Sequence, residues 1–174
     1  ESGVASSTHE GELLGGRYHH ILSGVWSARM NLKQQNEVCQ NLLARQWEPL
    51  AAAEHFLDGR AWPRGLLDRA WMDLLRNHPL DSIWGCSTDG VHRDMETRCA
   101  GVRRTAEQSI ANLLDRRVPM FAPDEADDRA TVIAVANPLP MVRDEVIERV
   151  VVLQPLDYDL TRLRLRDEQG RDVP

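Results

Sequence analysis

The clearest pattern in the chain is an apolar series, Val91, Met95, Cys99, Val102, Ala106, Ile110 and Leu113, spaced 4-4-3-4-4-3. That spacing keeps one face of an α-helix apolar. It predicts a helix that Ser87 or Thr88 can cap and that ends near Arg117. Arg93, Glu96, Arg103, Arg104 and Glu107 fall on the opposite, solvated face. Earlier in the chain, Leu66, Leu67, Ala70, Trp71, Leu74 and Leu75 form a second stripe, with Pro63 suited to its first turn. A further helical run starts after Ser23, a plausible N-cap, and carries Leu32, Cys39, Leu42, Leu43, Trp47 and Leu50. Residues 33–37 include its wet face. Pro49 removes one backbone donor and should kink or restart that helix. Ala51, Ala52 and Ala53 thin its surface so that a neighbour can approach, and Asp58 and Gly59 end it. Short connections between such segments predict an antiparallel bundle of three to four helices.

Between the second stripe and the longest one lies the run Asn77, His78, Pro79, Leu80, Asp81, Ser82, Ile83, Trp84, Gly85, Cys86 and Ser87. Pro79 disfavours helix at the residue before it, so His78 should close the preceding helix. Gly85 allows backbone angles that other residues avoid. Polar groups held between two packed helices are aimed by rigid supports. This hinge is the candidate functional site.

After residue 118 the period changes. Asp124, Glu125, Asp127 and Asp128 mark residues 119–130 as an acidic linker. Residues 131–136, 146–153 and 160–166 read as strands, with Leu163 and Leu165 on a buried face and Glu168, Gln169 and Gly170 as the next turn. Three strands without a closing partner would leave an open edge. The tail therefore reads as the start of a larger β-sandwich-like domain, and the chain as an excised piece. The expected organisation is a Gly- and Ser-rich lead-in over 1–16, a helical bundle over 17–118, a linker over 119–130 and a truncated sheet region over 131–174. The fold class is mainly α with a β tail.

Charge narrows the function. The net charge is −6 and the basic residues are interleaved with acidic ones, which argues against a nucleic-acid surface. Lys33 is the only lysine; arginine carries the other positive charge. The 3 cysteines, Cys39, Cys86 and Cys99, have no CxxC spacing, which points away from a disulfide framework and toward a reducing compartment. No apolar run reaches membrane-spanning length, and the first residues lack the pattern of a signal peptide. A cytoplasmic location is the expectation.

Other residues have a plain reading beside a functional one. A carboxylate at a helix start can cap backbone amides, and from the residues alone that is the favoured role of Asp81. Asp89 and His92, three apart, could chelate a metal, but a dipole-complementing Asp89 and a surface or partly buried His92 fit better. His19 and His20 are adjacent and make a poor chelate. Cys86 and Cys99 read as small core residues. Glu10 and Glu12 are weak candidates for a site completed elsewhere.

Three segments together resemble the zinc-dependent α-mannosidases of glycoside hydrolase family 38, bacterial type. They are the run from Gly24 to Asn36 (GVWSARMNLKQQN) with Trp47, Glu48, Pro49 and Leu50, the hinge with its continuation to His92, and the sequence Val135, Ala136, Asn137, Pro138, Leu139 and Pro140. The resemblance implies a parent enzyme that hydrolyses α-mannosides with retention, using a carboxylate nucleophile and an acid/base partner. It also implies that the nucleophile and most zinc ligands lie in an N-terminal α/β barrel, absent here, so this chain holds no catalytic residue and should hydrolyse nothing alone. The helical region would pack on that barrel and on the rest of the β domain. The family's hinge has a zinc-binding histidine directly before an aspartate that holds the sugar. By position the aspartate is Asp81, and Leu80 stands in the ligand place. Leucine has no lone pair; His78 is a weak substitute because Pro79 intervenes. The chain alone is thus expected to bind no zinc. The parent is a mannosidase with a depleted metal site, a divergent member without zinc, or a chain with one altered residue. The alternative is a non-catalytic carbohydrate-binding or protein-interaction module of the same fold.

Overall fold

The computed structural model describes residues 10–11, 15, 20–121, 131–148, 150–152, 163–167 and 169–173. Most of the Gly-rich lead-in with Glu12 and His19, the acidic stretch 122–130 and residues 153–162 lie outside the described residues. The chain is mainly helical with a small antiparallel β element near its C-terminal end.

The first helical region does not start at Ser23. Ser23–Trp26 is a single 3-10 turn, and α1 spans Met30–Leu42. Arg29, just before it, sits in the left-handed region at φ 49°. No side chain caps α1, so the serine cap expected from the sequence is not used; the entry is fixed by the contacts of Arg29 described below. Leu43–Trp47 then forms a π turn, in which the Glu48 amide donates to the Leu43 carbonyl five residues back. α2, Glu48–Asp58, restarts directly after it, with Pro49 in its first turn where a missing amide hydrogen costs little. Gly59, at φ 65°, turns the chain out of α2.

The helix α3, Arg64–Leu75, returns in the opposite direction. A short α4, Leu80–Trp84, forms the hinge, and α5, Asp89–Arg117, runs 29 residues, about 43 Å. Consecutive long helices are antiparallel, so α1–α2 and α5 run side by side in the same direction. Two ion pairs mark the ends of that pairing: Arg29 to Asp89 at 2.6 Å and Arg117 to Asp58 at 2.5 Å. Near the second end Arg116 makes two bonds to the buried carboxylate of Glu54, at 3.2 and 2.9 Å.

One core unites Cys39, Leu42, Leu43, Trp47 and Ala51 with Leu67, Ala70 and Leu74 and with Cys99, Val102, Ala106, Ile110 and Leu113. The predicted α5 stripe is this core's third wall. Val91, its first member, is half-buried, and His92 takes the buried place instead. The α3 stripe is narrower than its pattern. Leu67, Ala70 and Leu74 are buried and Trp71 is half-buried, its indole donating to Glu48 at 2.6 Å, while Leu66 and Leu75 are exposed. Phe56 and Leu57 on α2 are exposed as well.

The strands expected at 131–136 and 146–153 do not form among the described residues, where these segments run without ladder pairing. The only pairing there joins β1, Leu165–Arg166, to β2, Asp172–Val173, with Leu165 opposite Val173. The turn comes where the sequence places it, closed by the Gly170 amide on the Asp167 carbonyl at 2.9 Å. Leu163 and Leu165 are exposed, against the expected buried face. A strand buries a face only against a second layer, and here both leucines stay open to solvent.

Candidate functional site

The hinge is held to the bundle by side chains from three elements. Asn77 is 0% exposed and uses its whole amide. Its Nδ2 donates to the Met95 carbonyl at 3.2 Å and to Cys99 Sγ at 3.3 Å, and its Oδ1 accepts from Arg98 at 3.0 Å. His78 follows, half-buried, with Nε2 2.7 Å from Asn36 Oδ1 on α1. Pro79, extended at ψ 143°, redirects the chain, and its carbonyl accepts the amides of Ser82 and Ile83 to start α4. Helix α3 has already ended at Leu75, earlier than the proline alone predicts.

The far side of α4 is tied to the segment before α1. Lys33 Nζ donates to the Ala28 carbonyl at 2.6 Å and to the Ile83 carbonyl at 2.8 Å. Arg29 donates to the Gly85 carbonyl at 3.3 Å and to Asp89 at 2.6 Å. The Arg29 hydrogen bond and charge hold the Asp89 carboxyl below the ordinary carboxylate range. Gly85 sits at φ 87°, and a Cβ there would stand 3.2 Å from the Ala28 carbonyl oxygen and 3.3 Å from the Ala28 Cβ. Gly85→Ala should therefore cost about 1–2 kcal/mol from backbone conformation and more from the backbone oxygen it meets. Urea unfolding measures this; an unchanged midpoint would contradict the close packing.

Asp81 lies on the first turn of α4 and is exposed. Its backbone carbonyl accepts the amides of Cys86 at 3.0 Å and Ser87 at 3.1 Å. Its carboxylate makes no capping bond, and no hydrogen bond or ion pair holds it among the described residues. The cap reading thus has no bond behind it. Leu80 beside it is also exposed, and Trp84 is half-buried.

Residues 20–116 match the model of one protein family, described as the alpha mannosidase middle domain. The chain belongs to that family. The middle domain is 42% identical, over 85 residues, to a protein of Halalkalibacterium halodurans provisionally named a mannosylglycerate hydrolase. That match takes in 49% of this chain and 9% of the relative's length. Two solved structures from Enterococcus faecalis are similar. One is titled a protein in the glycosyl hydrolase family 38, at 40% identity and TM-score 0.51, covering 53% of this chain and 11% of that one. The other is titled an alpha-mannosidase, at 37% identity and TM-score 0.52, covering 58% and 12%.

The hinge of this middle domain does not fit a zinc site on its own. Leu80 offers only hydrocarbon, and the His78 Nε2 is already paired with Asn36 Oδ1 at 2.7 Å. Asp89 and His92 do not converge on a cation either. Asp89 is engaged by Arg29, and His92 is 3% exposed, with neither ring nitrogen hydrogen-bonded. The sequence reading, surface or partly buried, falls short of that burial. Among the described residues no three His, Cys, Asp or Glu side chains cluster to hold a metal. Cys86, expected in the core, is exposed; Cys39 and Cys99 are buried. Glu10 and His20 are exposed in the lead-in.

Two anchors of the middle domain escaped the sequence reading. Lys33 was placed with a wet face, yet its ammonium clamps two carbonyls. Its signal was its singularity in an arginine-rich chain. Lysine delivers a compact, swivelling charge whose three donors can serve two carbonyls at once. Arg29 gave no signal, because its partners lie 56 and 60 residues away.

Proposed function

We propose that this middle domain serves a larger family-38 glycosidase by presenting Asp81 to a glycan pocket completed by other parts of the polypeptide. The observation that carries the reading is the exposed, unpartnered Asp81 carboxylate on a short helix fastened from both sides. A fixed carboxylate accepts two hydrogen bonds from neighbouring sugar hydroxyls, and charged acceptors make the stronger bonds. Retaining hydrolysis also needs a nucleophile and an acid/base group about 5–5.5 Å apart. We take those to lie outside this chain, which is then inactive alone. The exposed Phe56, Leu57, Leu66 and Leu75 suit packing against the neighbouring catalytic barrel. Because Leu80 cannot ligate, the hinge contributes orientation and no metal bond, and the chain binds no zinc by itself.

The substrate class is an α-mannoside or a related glycan. No helix among the described residues is long and apolar enough to cross a membrane. The 3 free cysteines suit a reducing, cytoplasmic setting. Leu80 favours a second reading, a carbohydrate-binding or interaction module that has given up hydrolysis.

The test is Asp81→Asn in the polypeptide that carries this chain. A lost charged hydrogen bond is worth about 1.5–3 kcal/mol, so kcat/KM on an α-mannoside, or glycan affinity, should fall about 10- to 100-fold. Stability should stay unchanged, because the side chain is exposed. Unaltered activity and affinity would remove Asp81 from the site. Glycan binding without hydrolysis in the unsubstituted protein would select the second reading.

A further inference from the structure

Beneath the hinge, α1 and α5 bring two thiols together. Cys39 is 1% exposed and Cys99 is 4% exposed. Cys39 Sγ donates to the Cys99 carbonyl at 3.5 Å, and the two thiols stand close enough to shift each other's titration. The Asn77 amide donates to Cys99 Sγ from the side, and Arg98 holds that amide from behind. Nothing in the proposed glycan chemistry uses this pair.

The geometry points to an oxidation site: Cys99 is the attacking thiolate and Cys39 the resolving thiol, and a small hydroperoxide converts them to a Cys39–Cys99 disulfide that staples α1 to α5 under the hinge. The partners around Cys99 are those that stabilise sulfur as an anion: the Asn77 N–H donor and the nearby Arg98 guanidinium. The neighbouring Cys39 thiol, the Asn77 amide and the charge of Arg98 bring the Cys99 thiol down to about 7 against the opposing effect of burial. The same pairing and burial push Cys39 up, so it keeps its proton. The oxidant must be small, since both sulfurs are buried.

The chemistry balances. The Cys99 thiolate attacks one peroxide oxygen, the O–O bond breaks, and hydroxide leaves with a Cys99 sulfenic acid formed. The Cys39 sulfur then attacks the Cys99 sulfur, the S–O bond breaks, and water leaves with the Cys39 proton. Two thiols lose two electrons, and hydrogen peroxide becomes two waters once the hydroxide takes up the proton Cys99 had released.

The full chain carrying Cys86→Ser, which removes the exposed thiol, is treated with hydrogen peroxide, denatured, alkylated and mapped by mass spectrometry. The expected result is a loss of two hydrogens and one peptide pair joined through Cys39 and Cys99. In Cys39→Ser the sulfenic acid persists, and dimedone labels Cys99. In Cys99→Ser, labelling of Cys39 falls at least about tenfold below that, since a protonated thiol is a poor nucleophile. Both thiols remaining open to alkylation, after glutathione in the same tube is fully oxidised, would overturn the inference. So would preferential labelling of Cys39. The disulfide map needs neither core variant to fold.

Discussion

Trp47→Ala is expected to lower the unfolding free energy by about 3–5 kcal/mol, among the largest effects a single core truncation gives. Trp47 is 1% exposed and stands at the end of the π turn, where the first helical region faces both α3 and α5. Its removal leaves a cavity whose walls belong to three separate helices. Partial collapse of one wall does not fill it, so the transfer free energy is lost and the cost of the cavity is added. Urea denaturation, with the unfolding slope compared to the unsubstituted chain, measures the change. Phe56→Ala is the control. Phe56 is exposed, and its truncation should stay within about 0.5 kcal/mol. Equal effects at the two positions would contradict the core described above.

The second large effect is expected at Asn77. Asn77→Leu keeps the shape of the side chain and removes all of its polarity. The half-buried Arg98 guanidinium loses its acceptor, and the Met95 carbonyl and Cys99 Sγ lose a buried donor. Stranding such groups should cost about 2–3 kcal/mol. The loss is local as well as global, because Asn77 is the first fixed point of the hinge. Amide exchange across residues 78–87 should accelerate beyond what the stability change predicts. Exchange that rises only in proportion to global stability would show that Asn77 fills space without anchoring the hinge.

The bundle was legible because helices announce themselves locally. Met95, Cys99, Val102, Ala106, Ile110 and Leu113 could be read as one wall before any neighbour was known, and all are buried. His92 also lies on that stripe, three before Met95 and seven before Cys99, and its polarity disguised it. On α3 the width was misjudged, since a stripe of period 3.6 shows which face is apolar but not how far the neighbours reach around it. Leu66 and Leu75 are that excess. The hinge was legible as punctuation from Pro79 and Gly85. Its fastening was not, because Lys33 reaches Ile83 across 50 residues and leaves no periodic trace. The strands differ for a related reason. Alternation records a preference for pairing, and 131–136 pairs with no strand among the described residues.

The π turn at Leu43–Trp47 spends one more residue per turn than the helices on either side. Each residue advances an α-helix by about 100°, and a residue of the wider π turn advances it by less, so the turn absorbs one residue while keeping Ala51 and Glu54 in phase with Cys39 and Leu42. Deleting one residue inside the turn would let it tighten to α-helix with Glu54 still facing Arg116. Deleting one residue on either side of it would rotate everything beyond and swing Glu54 away. Between Leu42 and Glu48 the first helical region can give up a residue that α1 and α2 cannot.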